Sequence, residues 1–158
     1  MAKNEGKKFE EDFQKSVPKD WFVYRLKDSA GSWSNTSASR FTPKNSCDFF
    51  MFTGKTLFGI ECKSFKGKSL SYSNISDNQL EDLTDFCIGP PHKIFGVFAL
   101  NFRDINETYL VPAFIVNSLK LSGARKSLSL EEVKANGTLI PQTLKRTRYW
   151  YDLSVFNY

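Results

Sequence analysis

Residues 47–64, CDFFMFTGKTLFGIECKS, constrain the fold of this chain more than any other stretch. Two short runs rich in Phe, Ile and Leu flank a Thr-Gly-Lys-Thr centre, and runs of that kind make strands. Gly54 tolerates positive φ, and Gly-Lys suits a two-residue hairpin loop with glycine first. With Gly54 and Lys55 as the loop, Thr53 faces Thr56 and the antiparallel register carries Asp48 opposite Glu61. Side chains directly opposite share a face, their Cβ atoms about 4.5–5.5 Å apart. Lys63 lies two residues beyond Glu61 and points the same way. The hairpin therefore predicts two carboxylates and one ammonium gathered at its open end.

Carboxylates that close repel unless positive charge sits between them. A hard cation such as Mg2+ takes carboxylate oxygens while keeping several of its waters. It can polarise a phosphate and lower the pKa of a bound water. Lys63 is placed to orient or deprotonate that water, or to offset charge on phosphorus. An acid followed by acid-x-Lys across a hairpin is the equipment for cutting a phosphodiester. The competing reading is a plain hairpin with an ordinary salt bridge between Glu61 and a lysine, because this three-residue pattern also arises by chance.

The rest of the chain bounds that idea. Its 158 residues suit one domain, 1–158, with a real core. No apolar run approaches the roughly 18 residues of a membrane span, and MAKNEGKKFEEDF has no apolar stretch of the secretory type. A cytoplasmic protein without a membrane partner is expected. Cys47, Cys62 and Cys87 are odd in number and lack metal spacing, so reduced thiols are expected, two of them inside strands. His92 is the only histidine, which leaves little for a histidine zinc site or a Ser-His-Asp triad. A net charge of +5 favours a polyanionic partner. The cations cluster at Lys7-Lys8, Lys63/Lys66/Lys68, Arg125-Lys126 and Lys145-Arg146/Arg148.

In chain order, residues 4–16 read as a helix with Phe9 and Phe13 on one face, ended by Pro18. Its acids Glu10, Glu11 and Asp12 read as a solvated face, unless one reaches the metal; Glu10 borders the buried stripe. Residues 21–26 read as a strand. Residues 28–46, rich in Ser, Asn and Thr, read as a flexible loop carrying Trp33, Arg40 and Lys44 and leading into Asp48. Such groups contact phosphates, and an exposed Trp33 can stack on a base; a mobile loop with a tucked Trp is the other reading. A basic turn with Lys66 and Lys68 follows the hairpin. Residues 76–87 read as a helix capped by Ser76 or Asp77, with Leu80, Leu83 and Phe86 or Cys87 buried, Gln79 in the first turn, and Gly89-Pro90-Pro91 as its stop. Residues 93–102 read as a strand buried on both faces and 107–111 as its return strand. Residues 113–119 read as a short helix or strand. In residues 129–136, Ser129 and Glu132 form a capping box, closed by Gly137. The aromatic tail ends in an edge strand at 149–153. This order predicts an α/β fold, a mixed central sheet flanked by helices.

Asp48, twelve intervening residues, then Glu61-Cys62-Lys63 resembles the PD-(D/E)xK nuclease motif, with Cys47 where the family usually has proline. The element order is similar to that superfamily's restriction-endonuclease-like core. Within it, Gly6-Lys7-Lys8-Phe9-Glu10 resembles the N-terminal helix motif of RecU-type Holliday-junction resolvases, of a phage-style kind, with similarity also to the archaeal Hjc resolvases. Gln79 resembles the glutamine after the third RecU motif. Tyr109-Leu110-Val111-Pro112, residues 129–137 and Tyr151-Asp152-Leu153 resemble the RecU ending.

The resemblance implies a homodimeric endonuclease of DNA recombination and repair that resolves four-way junctions by paired symmetric nicks, leaving 5′-phosphates and using Mg2+ or Mn2+ and no nucleotide cofactor. It implies Asp48, Glu61 and Glu10 as metal ligands, with Glu11 as the fallback for Glu10, Lys63 as the water-positioning group, and Gln79 near the centre. Lys7, Lys8, Ser32, Trp33, Arg40, Lys44, Lys66 and Lys68 are the expected DNA contacts. The segment 28–46 corresponds to a shortened RecU stalk, and Ser29, Ser32 or Ser34 to the loop serine of Hjc proteins. The alternatives are another PD-(D/E)xK endonuclease acting on duplex or flap DNA, a non-catalytic DNA-binding recombination factor, or a basic structural protein.

Overall fold

The computed structural model describes residues 2–27, 44–87 and 93–157. Helix α1 (Ala2–Lys15) leads to strand β1 (Phe22–Arg25), then the hairpin strands β2 (Phe49–Phe52) and β3 (Leu57–Phe65), and a short β4 (Ser69–Ser71). A 3-10 turn at Tyr72–Asn74 precedes α2 (Asp77–Asp85), then β5 (Ile94–Phe102), β6 (Glu107–Pro112) and α3 (Ala113–Leu121). The chain closes with β7 (Ser127–Ser129), α4 (Leu130–Asn136), β8 (Thr138–Ile140), β9 (Gln142–Lys145), β10 (Arg148–Tyr151) and a 3-10 turn at Leu153–Phe156.

The central sheet has the order β1-β2-β3-β5-β6-β8. Only β3 and β5 run parallel; every other neighbouring pair is antiparallel. The sheet is therefore mixed, as expected. The hairpin register is also the expected one: Phe49 pairs with Ile60 and Phe52 with Leu57, while Thr53 N–H donates to the Thr56 carbonyl at 3.0 Å. Gly54 makes the turn at φ +91°, a conformation that a side chain would resist.

Strand alternation sorts the core into two layers. Phe49, Met51, Phe58, Ile60, Cys62, Val97, Ala99 and Leu110 face α1 and the tail, where Phe9, Phe13, Tyr151 and Phe156 interlock edge to face. Phe98, Leu100, Phe102, Tyr109 and Val111 face α2 and α3 through Leu80, Leu83 and Val116. Helix α2 lies hard against β5, since a Cβ on Gly96 would sit 1.8 Å from the Leu83 carbonyl oxygen. Ser76 caps α2, its hydroxyl accepting from Gln79 N–H at 3.2 Å. The capping box at Ser129 and Glu132 and the Gly137 cap are present, and 113–121 is a helix.

Several expectations change. The regular β2–β3 ladder stops at Phe49, so Asp48 and Cys47 precede the strand rather than lying in it. The tail strand is β10, and it pairs with β9 in a separate hairpin instead of edging the central sheet. It packs on α1 because Tyr151 fits among Phe9 and Phe13. Strands β4, β7, β8 and β9 were not anticipated; three or four residues are too few to display a period. Ser29, Ser32, Trp33, Ser34 and Arg40, and the Gly89-Pro90-Pro91 stop, lie outside the described residues. Among the described residues, no helix is long and apolar enough to cross a membrane.

Candidate active site

Four elements meet where β3 runs toward its C-terminal end. The segment before β2 brings Asp48, held at both ends. Its N–H donates to the Ile60 carbonyl at 3.0 Å, one residue out of step with the Phe49–Ile60 pair, and its own carbonyl accepts from Leu26 N–H at 2.9 Å. This irregularity lets the side chain turn back, so that Asp48 Oδ2 accepts the Cys62 N–H at 2.7 Å. Ser46 Oγ donates to Asp82 of α2 at 2.5 Å and ties the incoming chain to that helix.

Strand β3 brings Glu61 and Lys63. Their side chains share the α2 face, and Lys63 Nζ lies 2.7 Å from Glu61 Oε1. Glu61 is 3% exposed, and its second oxygen, Oε2, is buried without a hydrogen-bond partner. A buried carboxylate oxygen left unmet is costly. Gln79, in the first turn of α2, approaches Glu61 and, after Lys63, favours its ionised form. Burial dominates, however, and pushes the Glu61 carboxyl up. Asp48 is pushed up too, by burial first and by the Glu61 charge second, with the Cys62 N–H opposing. The charge on Glu10 raises both groups further.

Glu10 stands at the border of this cluster, on α1, with Oε2 2.7 Å from Arg25 of β1. Glu11 points elsewhere, to Arg148 at 2.8 Å. Lys7, Lys44, Lys66 and Lys68 are exposed and Lys8 is half-buried. The three thiols are free, and burial pushes Cys47 up to about 12 and Cys62 well above its ordinary value, so neither is a nucleophile near neutrality.

Among the described residues, no group of three or more His, Cys, Asp and Glu side chains gathers as a ready metal cage. Two carboxylates do come together, and Mg2+ is commonly held by one or two carboxylates with the rest of its shell water or substrate. The all-oxygen donors and the orphaned Glu61 Oε2 fit such an ion. Reading the sequence missed the Cys62 N–H, Arg25 and Ser46. The first two announce themselves only as a strand amide and a strand arginine.

Known proteins fit this picture. The family model of recombination protein U, RecU, matches residues 6–151. Over 107 residues, 68% of this chain, it is 31% identical to the Holliday junction resolvase RecU of Mycoplasmopsis pulmonis. It is 35% identical over 114 residues, 70% of this chain, to the SPbeta prophage-derived uncharacterized protein YotM of Bacillus subtilis. These matches span 64% and 56% of the two relatives' own lengths, less than two thirds of each. The structure of Hjc from Archaeoglobus fulgidus, described as a Holliday junction resolvase, superposes with a TM-score of 0.53 at 18% identity. That match covers 85% of this chain and 95% of the archaeal one, a likeness of fold, restriction-endonuclease-like as the sequence led us to expect. With its N-terminal Gly-to-Glu motif and its acid and acid-x-Lys hairpin inside a match that covers residues 6–151, this chain belongs to the RecU family.

Proposed function

We propose that the chain is an endonuclease, dependent on Mg2+ or Mn2+, that resolves four-way DNA junctions by paired symmetric phosphodiester hydrolysis as a homodimer. The observation that carries this reading is the Glu61 carboxylate, with one oxygen on Lys63 and the other buried and unmet beside a second acid, Asp48. Asp48 and Glu61 would hold the metal, with Glu10 helping directly or through water. The ion would supply charge neutralisation at the phosphate and a more acidic bound water.

The chain's own groups do the rest. Cys62 N–H fixes the Asp48 carboxylate. Glu61 Oε1 anchors Lys63 Nζ, which keeps a positive charge where negative charge grows on phosphorus and orients the attacking water. Gln79 steadies Glu61 from the α2 side. Lys7, Lys8, Lys44, Lys66 and Lys68 neutralise backbone phosphates, and Ser32, Trp33 and Arg40 belong to the loop that would meet the junction. Salt then weakens binding steeply. A junction with two-fold symmetry asks for two identical sites in fixed relation, hence the dimer. Likeness to the Mycoplasmopsis resolvase supports the choice of substrate.

The test is nicking of a labelled four-way junction, a flap and a linear duplex with Mg2+, by wild type and Asp48→Asn. Junction cutting that disappears in the variant is expected. Equal cutting of the linear duplex sinks the junction assignment, and undiminished nicking by Asp48→Asn sinks the site.

A further inference from the structure

Beside the acid cluster, on the opposite face of the same sheet end, lies a cleft of about 50 Å3. Its polar lining includes Lys8, Ser64, Asn101 and Arg103, with Asn106 and Tyr149 at one side. The cleft is small and polar, with room for a phosphate group or ordered waters. Ser64, Asn101 and Arg103 sit on the α1 face, at the C-terminal ends of β3 and β5. Ser64 is the residue after Lys63, so the cleft and the acid cluster are back to back across one strand end.

Arg103 is the anomaly there. Its backbone N–H is bonded to the Phe65 carbonyl at 3.1 Å, which fixes its base. Its guanidinium has no hydrogen bond or ion pair among the described residues, and its Nε is buried without a partner. A guanidinium in that state is costly, because a buried donor is left unmet. Other polar groups of the cleft are already engaged. Ser64 Oγ donates to Asn101 Oδ1 at 2.9 Å, Asn101 Nδ2 to Thr108 Oγ1 at 2.9 Å, and Tyr149 OH to Asn106 Oδ1 at 2.8 Å. Two acids also line the cleft. Asp12 is neutralised by Arg148 at 2.5 Å, and Glu5 is exposed at the rim. The unspent groups are therefore two cations, Lys8 and Arg103, fixed in a polar wall.

We propose that this cleft is a phosphate-binding subsite for the DNA backbone, with Arg103 as its principal ligand and Lys8 as its second charge. It rests on the nuclease reading above and adds a contact that the RecU likeness did not mark. A shift of the Arg103 side chain that uncovers its Nε lets the guanidinium meet two phosphate oxygens in the bidentate geometry it favours, and the donor left unmet in the free protein is then satisfied by the bound strand. The phosphate held there lies across the strand end from Asp48 and Glu61, so the subsite anchors the bound DNA away from the phosphate that is cut.

The experiment measures binding of a fluorescent four-way junction without added metal, over a salt series, for wild type, Arg103→Ala and Arg103→Lys. Melting temperature is read in parallel. Arg103→Ala is expected to bind about tenfold more weakly, with a salt slope shallower by about one. Its melting temperature should be unchanged or higher, since no bond is lost. Arg103→Lys should recover the slope and only part of the affinity, because a point charge replaces the fork. Unchanged affinity and slope in Arg103→Ala, in a protein that still nicks junctions, overturns the subsite and leaves the nuclease reading standing. Weaker binding explained by a fall in melting temperature also overturns it. Arg103-dependent binding in a wild type that never nicks with Mg2+ supports the subsite and removes the nuclease reading. A wild type that binds no DNA removes both.

Discussion

Asp12 and Glu61 are equally buried carboxylates, each 3% exposed, and they sit on opposite faces of the same sheet. Asp12 is met on every side. Arg148 Nε reaches Oδ1 at 2.5 Å, and Tyr149 N–H reaches Oδ2 at 3.0 Å. Glu61 has Lys63 on Oε1 and Gln79 close to the carboxylate, yet its Oε2 makes no hydrogen bond. Asp12 thus clamps the tail hairpin onto α1, a purely structural task. Glu61 keeps an acceptor in reserve beside another acid, which lowers the stability of the free protein. Burial of an acid therefore does not distinguish scaffold from site; an acceptor left without a partner does.

The sharpest way to break this contrast is Glu61→Gln against Asp12→Asn. Glu61→Gln should lower the rate of junction nicking by about a hundredfold or more, as loss of a metal-binding or charge-stabilising group does. Asp12→Asn should leave the rate per folded molecule within a few-fold. Single-turnover cleavage at saturating protein decides, and equal losses would erase the distinction. Next in size is stability. Asp12→Ala strands the Tyr149 N–H and leaves Arg148 with Glu11 as its one remaining acid, and should cost about 2–4 kcal/mol in urea unfolding. Glu61→Gln should cost little or even stabilise the metal-free protein.

The acid pair also predicts opposite responses to pH and metal. Asp48 and Glu61 have folded pKa values raised above their unfolded ones, so their contribution to stability is full below the ordinary carboxylate range. It is lost as pH rises from about 4 toward about 8, the value to which Asp48 is raised. Metal-free melting temperature should decline across that window, and less so in Asp48→Asn. Added Mg2+ should restore wild type, by about 2.7 kcal/mol at a hundredfold excess over its Kd, and leave Asp48→Asn unmoved. Thermal melts with and without EDTA settle both. The smallest effect expected is Gln79→Ala, a several-fold fall in nicking rate with unchanged melting temperature, because Gln79 supports Glu61 and is itself half-buried. A loss as large as that of Glu61→Gln would place Gln79 among the reacting groups instead.

Much of the site could be read before any coordinates because it is local. Gly54 sets the turn, the turn sets the register, and the register puts Glu61 and Lys63 on one face within three residues. Ser76 caps α2 and Ser129 opens α4 for the same reason: a cap is decided within four residues. What escaped was non-local or irregular. The backbone at Asp48 steps out of the ladder, so its partner became the Cys62 amide rather than the facing acid alone. Arg25 reaches Glu10 across fifteen residues, and Arg148 reaches Asp12 across 136. No window of sequence contains both members of such pairs. The tail strand itself was legible, but its partner β9 and its place on α1 were not, because β9 and β10 have four residues each and β10 packs on α1 rather than on the central sheet.

By itself, the sequence determined the mixed α/β order, the hairpin that brings Asp48 near Glu61 and Lys63, and the likeness to the RecU family, since turns, caps and short motifs act over a few residues. Only the tertiary structure decided which charges are spent and which are held back. Arg148 is used up on Asp12 and Glu11, while Glu61 Oε2 and Arg103 Nε remain unmet on two faces of one sheet end. That division depends on which distant side chains arrive beside a buried group, and burial makes each missing partner costly.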